Sequence, residues 1–333
     1  MAPLIQHILV IRGGAIGDMI VTLPTLGALR QAFPQATLTL LGHTTRAVLA
    51  DHAHYAHHMM DIERWELYRL FLSHPTLSQA MVGFLSSFGL ILSYLPSADE
   101  TFTNNLQRYC PGTVISWYPH PPPGVHSTDH LLAPVKRLVP QWYDASPRVY
   151  LTPEAEAAAA RFWHMARLPE HGVVAFHPGS GGILKLWPMS GWQQVMHWAA
   201  AQCLPGLLIR GPAEQSTHMD LPAWPYAEEM PLPVLAAILA RCQVVVSHDS
   251  GISHLAAAVG TTTLALFGPT DPMNWGPHSP HACVLWPQPA GPLTLLSLPP
   301  EVVCRTLSAL RDGTFTYHPS LVQCTIVDPA GVR

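Results

Sequence analysis

Residues 173–188 constrain the fold more than any other stretch of this 333-residue chain. The apolar run Val173-Val174-Ala175-Phe176 enters the turn His177-Pro178-Gly179-Ser180-Gly181-Gly182, and Lys185 and Trp187-Pro188 follow. A short apolar run bounded by Pro and Gly reads as a buried strand of the kind found in parallel sheets covered on both faces. The glycine-rich turn leaves backbone N–H groups free to face an anion, and Lys185 sets a full positive charge beside them. Only two lysines occur in the chain, Lys136 and Lys185. Taken alone, the segment also fits an ordinary strand-to-helix connection with a surface lysine.

Strands and helices alternate on both sides of this segment. His7 to Arg12 reads as a buried parallel strand, followed by the turn Gly13-Gly14-Ala15-Ile16-Gly17-Asp18, a helix to about Phe33 and a strand from Ala36 to Leu41. Further strands are expected over 88–95 and 113–116. The second half predicts helices over 153–167, 190–202, 231–241, 252–259 and 301–310, and strands over 173–176, 206–210, 243–247 and 262–266. Two α/β halves therefore follow one another. Pro169 and Gly172 break the pattern and divide the chain into a domain over 1–168, a second over 169–315 and a tail over 316–333. Pro121-Pro122-Pro123 belongs to an extended loop inside the first half.

Composition removes several classes of function. Charged residues make up 11% and the net charge is -4 without a Lys/Arg-rich run, so the chain has no electrostatic footprint for nucleic acid. Its 20 histidines and 34 prolines are spread through a sequence that is 48% apolar, which argues against disorder. The six cysteines form no C-x-x-C pair, as expected of reduced thiols in a cytoplasmic protein. The N-terminal segment lacks the basic region of a secretion signal. Between Arg69 and Asp99 no formal charge occurs, but His74, Pro75 and Gln79 interrupt the run, which reads as helix then buried strand rather than a membrane span.

A second cluster with chemical content is Val244-Val245-Val246-Ser247-His248-Asp249-Ser250-Gly251-Ile252-Ser253-His254. Asp249 or Ser250 is placed to cap the next helix, Gly251 lets a ligand approach the backbone, and the helix N-terminus offers N–H donors. Asp249 can also accept a hydrogen bond from a sugar hydroxyl, and His254 either reaches a phosphate or packs in the helix. Glu214, after the 206–210 strand, either binds a ribose diol or is a surface carboxylate. At the N-terminal turn the spacing Gly13, Gly14, Gly17 is not G-x-G-x-x-G, and no acid lies between Asp18 and Asp51, which excludes a dinucleotide fingerprint. Asp18 instead stands at a helix start, where it either takes a proton from an acceptor hydroxyl or simply caps the helix. His52, His54, His57 and His58 have H-x-H and H-x-x-H spacings, but no acid or cysteine partner is implied and no metal site is assigned.

Gly17-Asp18 with Thr22-Leu23-Pro24, His177-Pro178-Gly179 with Lys185 and Trp187-Pro188, Asp249-Ser250-Gly251 with His254-Leu255-Ala256, and Phe267-Gly268-Pro269-Thr270-Asp271-Pro272 together resemble glycosyltransferase family 9, the ADP-heptose:lipopolysaccharide heptosyltransferases. The match in order and spacing extends over nearly the whole chain. The resemblance implies an α/β, GT-B fold of two Rossmann-like domains facing across a cleft, with the acceptor on the first and the nucleotide sugar on the second. It implies Asp18 as general base, with Gly13, Gly14 and Gly17 in the acceptor-side loop, and Lys185 as the catalytic diphosphate-binding lysine. Gly179, Ser180, Gly181, Glu214, Asp249, Ser250, Gly251 and His254 would complete the donor site. The implied reaction inverts the anomeric centre without metal or cofactor, moving heptose from ADP-heptose to a glycan or lipopolysaccharide-type acceptor. A cytoplasmic enzyme with peripheral contact at the inner membrane follows from that acceptor class.

Two positions depart from the family pattern. Ser250 stands where threonine is usual, and Leu186 where a basic residue often follows the lysine. In the first half Arg12, Arg30, Arg46, Arg64, Arg69, Arg108, Lys136, Arg137 and Arg148 form no cluster. Two other readings fit the same architecture, a nucleotide-sugar epimerase and a nucleotide-sugar or glycan binder without turnover; a requirement for acceptor in the release of ADP separates a transferase from the epimerase.

Overall fold

The computed structural model describes residues 5–51, 53–64, 66–95, 97, 99–211, 221–288, 291, 294–314 and 323–324. The chain divides into two compact units, Met1–Pro147 and Arg148–Arg333.

In the first unit the order is β1 (His7–Arg12), α1 (Ile16–Ile20), α2 (Leu23–Ala32), β2 (Thr37–Gly42), α3 (Thr44–Ala47), β3 (His58–Asp61), α4 (Gln79–Ser86), β4 (Leu90–Ser93), α5 (Thr101–Tyr109), β5 (Thr113–Ser116) and α6 (Ser127–Leu138). All pairings are parallel and the sheet runs β3-β2-β1-β4-β5. The chain thus winds outward from β1 and then reverses, with the switch between β1 and β4. Leu9, Ile11 and Ile91 on one face of the sheet pack with Met81, Leu85, Phe102 and Leu106 from α4 and α5. The charge-free run between Arg69 and Asp99 folds as α4 and β4, and among the described residues no helix is long and apolar enough to cross a membrane.

The single helix expected through Phe33 is two helices. Pro24 lies at the start of α2, where its missing N–H is harmless, and it cannot continue α1. At the opposite edge of the sheet, Gly112 lies against Gly89: a Cβ on Gly112 would stand 2.3 Å from the Gly89 oxygen. Thr113 N–H also donates to that oxygen at 2.9 Å, so the turns entering β4 and β5 are locked backbone to backbone.

The second unit contains α7 (Pro153–Met165), β6 (Val174–His177), α8 (Met189–Ala201), β7 (Gly206–Arg210), β8 (Tyr226–Glu228), α9 (Leu232–Leu239), β9 (Val244–His248), α10 (Gly251–Ala258), β10 (Thr262–Leu266), α11 (Pro272–Trp275), β11 (Ala282–Leu285), α12 (Pro300–Arg311) and β12 (Gln323–Cys324). Its parallel sheet runs β12-β11-β10-β9-β6-β7-β8, again reversing beside its first strand, between β6 and β9. Thr152 caps α7, its Oγ1 accepting Ala155 N–H at 3.2 Å. This helix lies in the second unit, which begins at Arg148; the sequence places the boundary after residue 168 and so assigns α7 to the first half. Trp187, Trp192, Val195 and Met196 pack under the sheet with Phe176, Val246 and Val303.

Candidate functional site

Open α/β sheets bind ligands beyond the carboxyl ends of their strands, where the winding reverses. In the second unit those strands are β6 and β9, paired through His177 and Ser247. The turn after β6 carries Gly179, Ser180, Gly181 and Lys185; the turn after β9 carries Asp249, Ser250 and Gly251, the first residue of α10. Lys185 Nζ lies 2.6 Å from Asp249 Oδ2, with the lysine side chain 35% exposed and the aspartate 6%. No hydrogen-bond donor is aligned on that buried oxygen, and the lysine is its ion-pair partner. Ser180 Oγ donates to the Asp249 carbonyl at 3.1 Å, which ties the two turns together. Ser250 caps α10 by accepting Ile252 N–H at 3.3 Å. His254 is buried within α10. Glu214 lies outside the described residues.

A polar network under the two turns supplies their rigidity, and its histidine is not visible as a site residue in the sequence. His248 Nε2 accepts Trp187 N–H at 2.8 Å and Trp192 Nε1–H at 3.2 Å. Two donors on one nitrogen require the proton on Nδ1, which faces the Gly179 carbonyl at 3.3 Å. His177 Nδ1 lies 3.2 Å from Ser247 Oγ, which lies 3.0 Å from Ser250 Oγ. Burial, and then the neighbouring His248, push His177 down to about 3; burial likewise lowers His248 to about 4. Both imidazoles are neutral supports. Two tryptophans five positions apart after the turn are the only sequence hint, and they do not name their acceptor.

In the first unit the turn after β1, at the winding reversal, carries Gly13, Gly14, Gly17 and Asp18. Asp18 Oδ2 accepts Ala15 N–H at 2.8 Å, so the carboxylate does cap α1. Its Oδ1 accepts from Arg12 Nη2 at 2.9 Å, and its side chain stays 30% exposed. A carboxylate offers about four lone-pair sites, so this capping role leaves acceptor capacity over. Arg12 is 3% exposed, its Nε donates to Thr22 Oγ1 at 3.1 Å, and Thr22 Oγ1 donates to the Asp18 carbonyl at 2.7 Å. Burial lowers the Arg12 pKa, and the Asp18 charge pulls it back up. Arg12 carries no motif in the sequence, where it reads only as the arginine at a strand end. Gly14 has φ +99°, and a Cβ there would meet Asp18 Oδ2 at 2.5 Å.

Of the histidine group, His57 Nδ1 accepts Leu38 N–H at 2.9 Å and serves the sheet edge, while His58 begins β3. His52 lies outside the described residues.

Residues 141–292 match the family model described as glycosyltransferase family 9 (heptosyltransferase). The chain is 30% identical over 131 residues to lipooligosaccharide heptosyltransferase 2 of Haemophilus influenzae, covering 36% of this chain and 38% of that protein. It is 33% identical over 112 residues to lipopolysaccharide heptosyltransferase 1 of Pseudomonas aeruginosa, covering 31% of each. These matches span less than two-fifths of the length of either relative. In fold the likeness is far more extensive. A family 9 glycosyltransferase from Veillonella parvula superposes with a TM-score of 0.73 over 92% of this chain and 97% of that one, at 18% identity. The ADP-heptose heptosyltransferase II of E. coli superposes with a TM-score of 0.71 over 93% and 99%, at 17% identity. The two parallel α/β units have the GT-B fold of these solved glycosyltransferases, and the sequence likeness to glycosyltransferase family 9 lies in residues 141–292, almost all of them in the second unit.

Proposed function

We propose that the protein transfers a sugar, heptose, from ADP-heptose to a glycan acceptor. The observation that carries this reading is the Lys185–Asp249 pair, set where the turns after β6 and β9 meet at the winding reversal. A lysine whose ion-pair partner among the described residues is a carboxylate without an aligned donor is poised to turn to an incoming diphosphate. The N–H groups of the Gly179–Gly182 turn and of the α10 N-terminus would share that charge. The matches to lipopolysaccharide heptosyltransferases support heptose as the sugar. A solved E. coli heptosyltransferase of like fold was obtained with ADP, in keeping with an ADP-sugar donor.

In the proposed reaction an acceptor hydroxyl oxygen forms a bond to the anomeric carbon while the bond from that carbon to the β-phosphate oxygen breaks. The electron pair leaves on ADP, the hydroxyl proton passes to Asp18, and the configuration inverts. Lys185 and the backbone donors are assigned the stabilisation of the leaving diphosphate, so a metal is not required by this scheme. Ser180, Asp249, Ser250, Gly251 and His254 form the donor side with Gly179 and Gly181, and Glu214 is assigned to the ribose. The turn of Gly13, Gly14 and Gly17 carries the base on the acceptor side. A location at the inner face of the cytoplasmic membrane is proposed from the acceptor class of the relatives.

Calorimetric titration with ADP, UDP, GDP and NAD tests the donor assignment. ADP is expected to bind best, and Lys185→Ala to weaken it at least tenfold, about 1.4 kcal/mol. Preference for NAD, or unchanged ADP affinity in the variant, overturns it.

A further inference from the structure

The carboxyl edge of the first unit holds a hollow of about 480 Å³, within the range of about 300–1,000 Å³ common for small-molecule sites. One wall is a single face of α5, where Glu100, Thr103, Asn104 and Gln107 recur at helical spacing. Ser116 and Tyr118, at and beyond the end of β5, form the other wall. The hollow and the turn that carries Asp18 both adjoin Leu95. Ser93 of β4 pairs with Ile11 of β1 on one side and with Ser116 of β5 on the other. Leu95, which lines the hollow, also approaches that turn: a Cβ on Gly13 would lie 3.5 Å from Leu95 Cδ2.

Among the described residues no Lys, Arg or His lines the hollow, and two carboxylates, Asp99 and Glu100, do. Of the nearby bases, Arg12 holds Asp18, Arg46 donates to the Gly14 carbonyl at 2.9 Å, and two histidines stand behind Tyr118: His130 Nε2 lies 2.7 Å from its carbonyl and the His120 ring 5.3 Å from its ring. Hydroxyl, amide and carboxylate groups together match a ligand whose groups both donate and accept hydrogen bonds. Tyr118, 61% exposed, presents an aromatic face to C–H groups. The carboxylates oppose an anion by like-charge repulsion.

We propose that this hollow receives the acceptor, and that the acceptor end is a polyhydroxyl sugar carrying neither phosphate nor carboxylate. The inference rests on the glycosyltransferase reading above and adds the chemical class of the acceptor. Saturation-transfer NMR on the full chain tests it with neutral methyl hexosides and heptosides, each beside its 6-phosphate, and with ADP added to the same samples. Neutral glycosides are expected to bind at least tenfold more tightly than their phosphates. Asn104→Ala combined with Gln107→Ala, both on the exposed face of α5, should cost at least tenfold in glycoside affinity at unchanged Tm. Asp99→Asn with Glu100→Gln should narrow the discrimination against phosphate. Absence of glycoside binding, equal or tighter binding of the phosphates, or an unaffected double alanine variant overturns the proposal. ADP binding without glycoside binding removes the hollow and leaves the donor assignment standing; glycoside binding without ADP binding does the reverse.

Discussion

His248 Nε2 takes the backbone N–H of Trp187 at 2.8 Å, joining positions 61 apart in sequence, while its Nδ1 faces the carbonyl of Gly179. One buried ring therefore fixes both ends of the turn that presents Lys185. The arrangement works only for the neutral imidazole, since a protonated Nε2 could not accept from Trp187 and Trp192.

Acid should therefore loosen the second unit. Burial lowers His248 to about 4 and His177 to about 3 from an ordinary 6.5. Because the folded values lie below the unfolded ones, the unfolded chain binds more protons in that interval, and stability falls as pH drops from about 6.5 toward 4. Each imidazole contributes a slope approaching about 1.4 kcal/mol per pH unit. Urea unfolding at pH 7, 6 and 5 should show that slope, and His248→Asn should reduce it by about half. An identical pH dependence in the variant would remove His248 from the account.

Removing Lys185 should unmask Asp249. Lys185→Ala leaves a buried carboxylate without its cation, at a cost of about 1 kcal/mol once the exposure of the lysine is discounted. Adding Asp249→Asn in the same chain should recover most of the lost Tm. Additive losses in the double variant would mean that the two side chains do not couple.

Asp18→Asn is expected to separate chemistry from donor binding. The amide preserves shape, so ADP affinity should stay within about twofold, while transfer should fall at least about a hundredfold with the general base gone. Transfer assayed with ADP-heptose and a glycan acceptor, beside calorimetry, reads both quantities. Undiminished transfer would confine Asp18 to its capping role.

Two glycines make a controlled pair. Gly14→Ala forces a side chain into a φ of +99° and onto Asp18 Oδ2, which should destabilise by about 1–2 kcal/mol and lower transfer. Gly181→Ala meets nothing within 4 Å at an ordinary backbone angle, so Tm should be unchanged. A reversed order of effects in thermal unfolding would contradict the described geometry of both turns.

The central strands are legible in the sequence because uninterrupted apolar runs such as Val244–Val246 suit only a doubly covered sheet. Gly206–Arg210 and Thr262–Leu266 lie where the sequence puts them, and so does one edge strand, Thr113–Ser116. Two other edge strands, His58–Asp61 and Tyr226–Glu228, are not predicted, since half-exposed polar residues erase the pattern, and neither is the buried inner strand Ala282–Leu285, whose apolar run is only four residues long. Nor is α6, whose internal Pro134 argues against a helix from sequence alone. At the site, Lys185, Asp249 and Asp18 stand out as members of short motifs. Their partnerships do not: which base meets Asp18, and which ring holds the Gly179 carbonyl, depend on register between strands, which a one-dimensional pattern does not carry.

The backbone lock of Gly112 on Gly89 has a consequence for how such a protein can diverge. With the turns into β4 and β5 fixed at the amino end of the sheet, the outward side chains Thr103, Asn104 and Gln107 of α5 can be exchanged while Phe102 and Leu106 keep the helix on the core. Novelty in acceptor choice is thereby uncoupled from the integrity of the fold, and a library randomised over the exposed face of α5 samples new specificities on an unchanged scaffold.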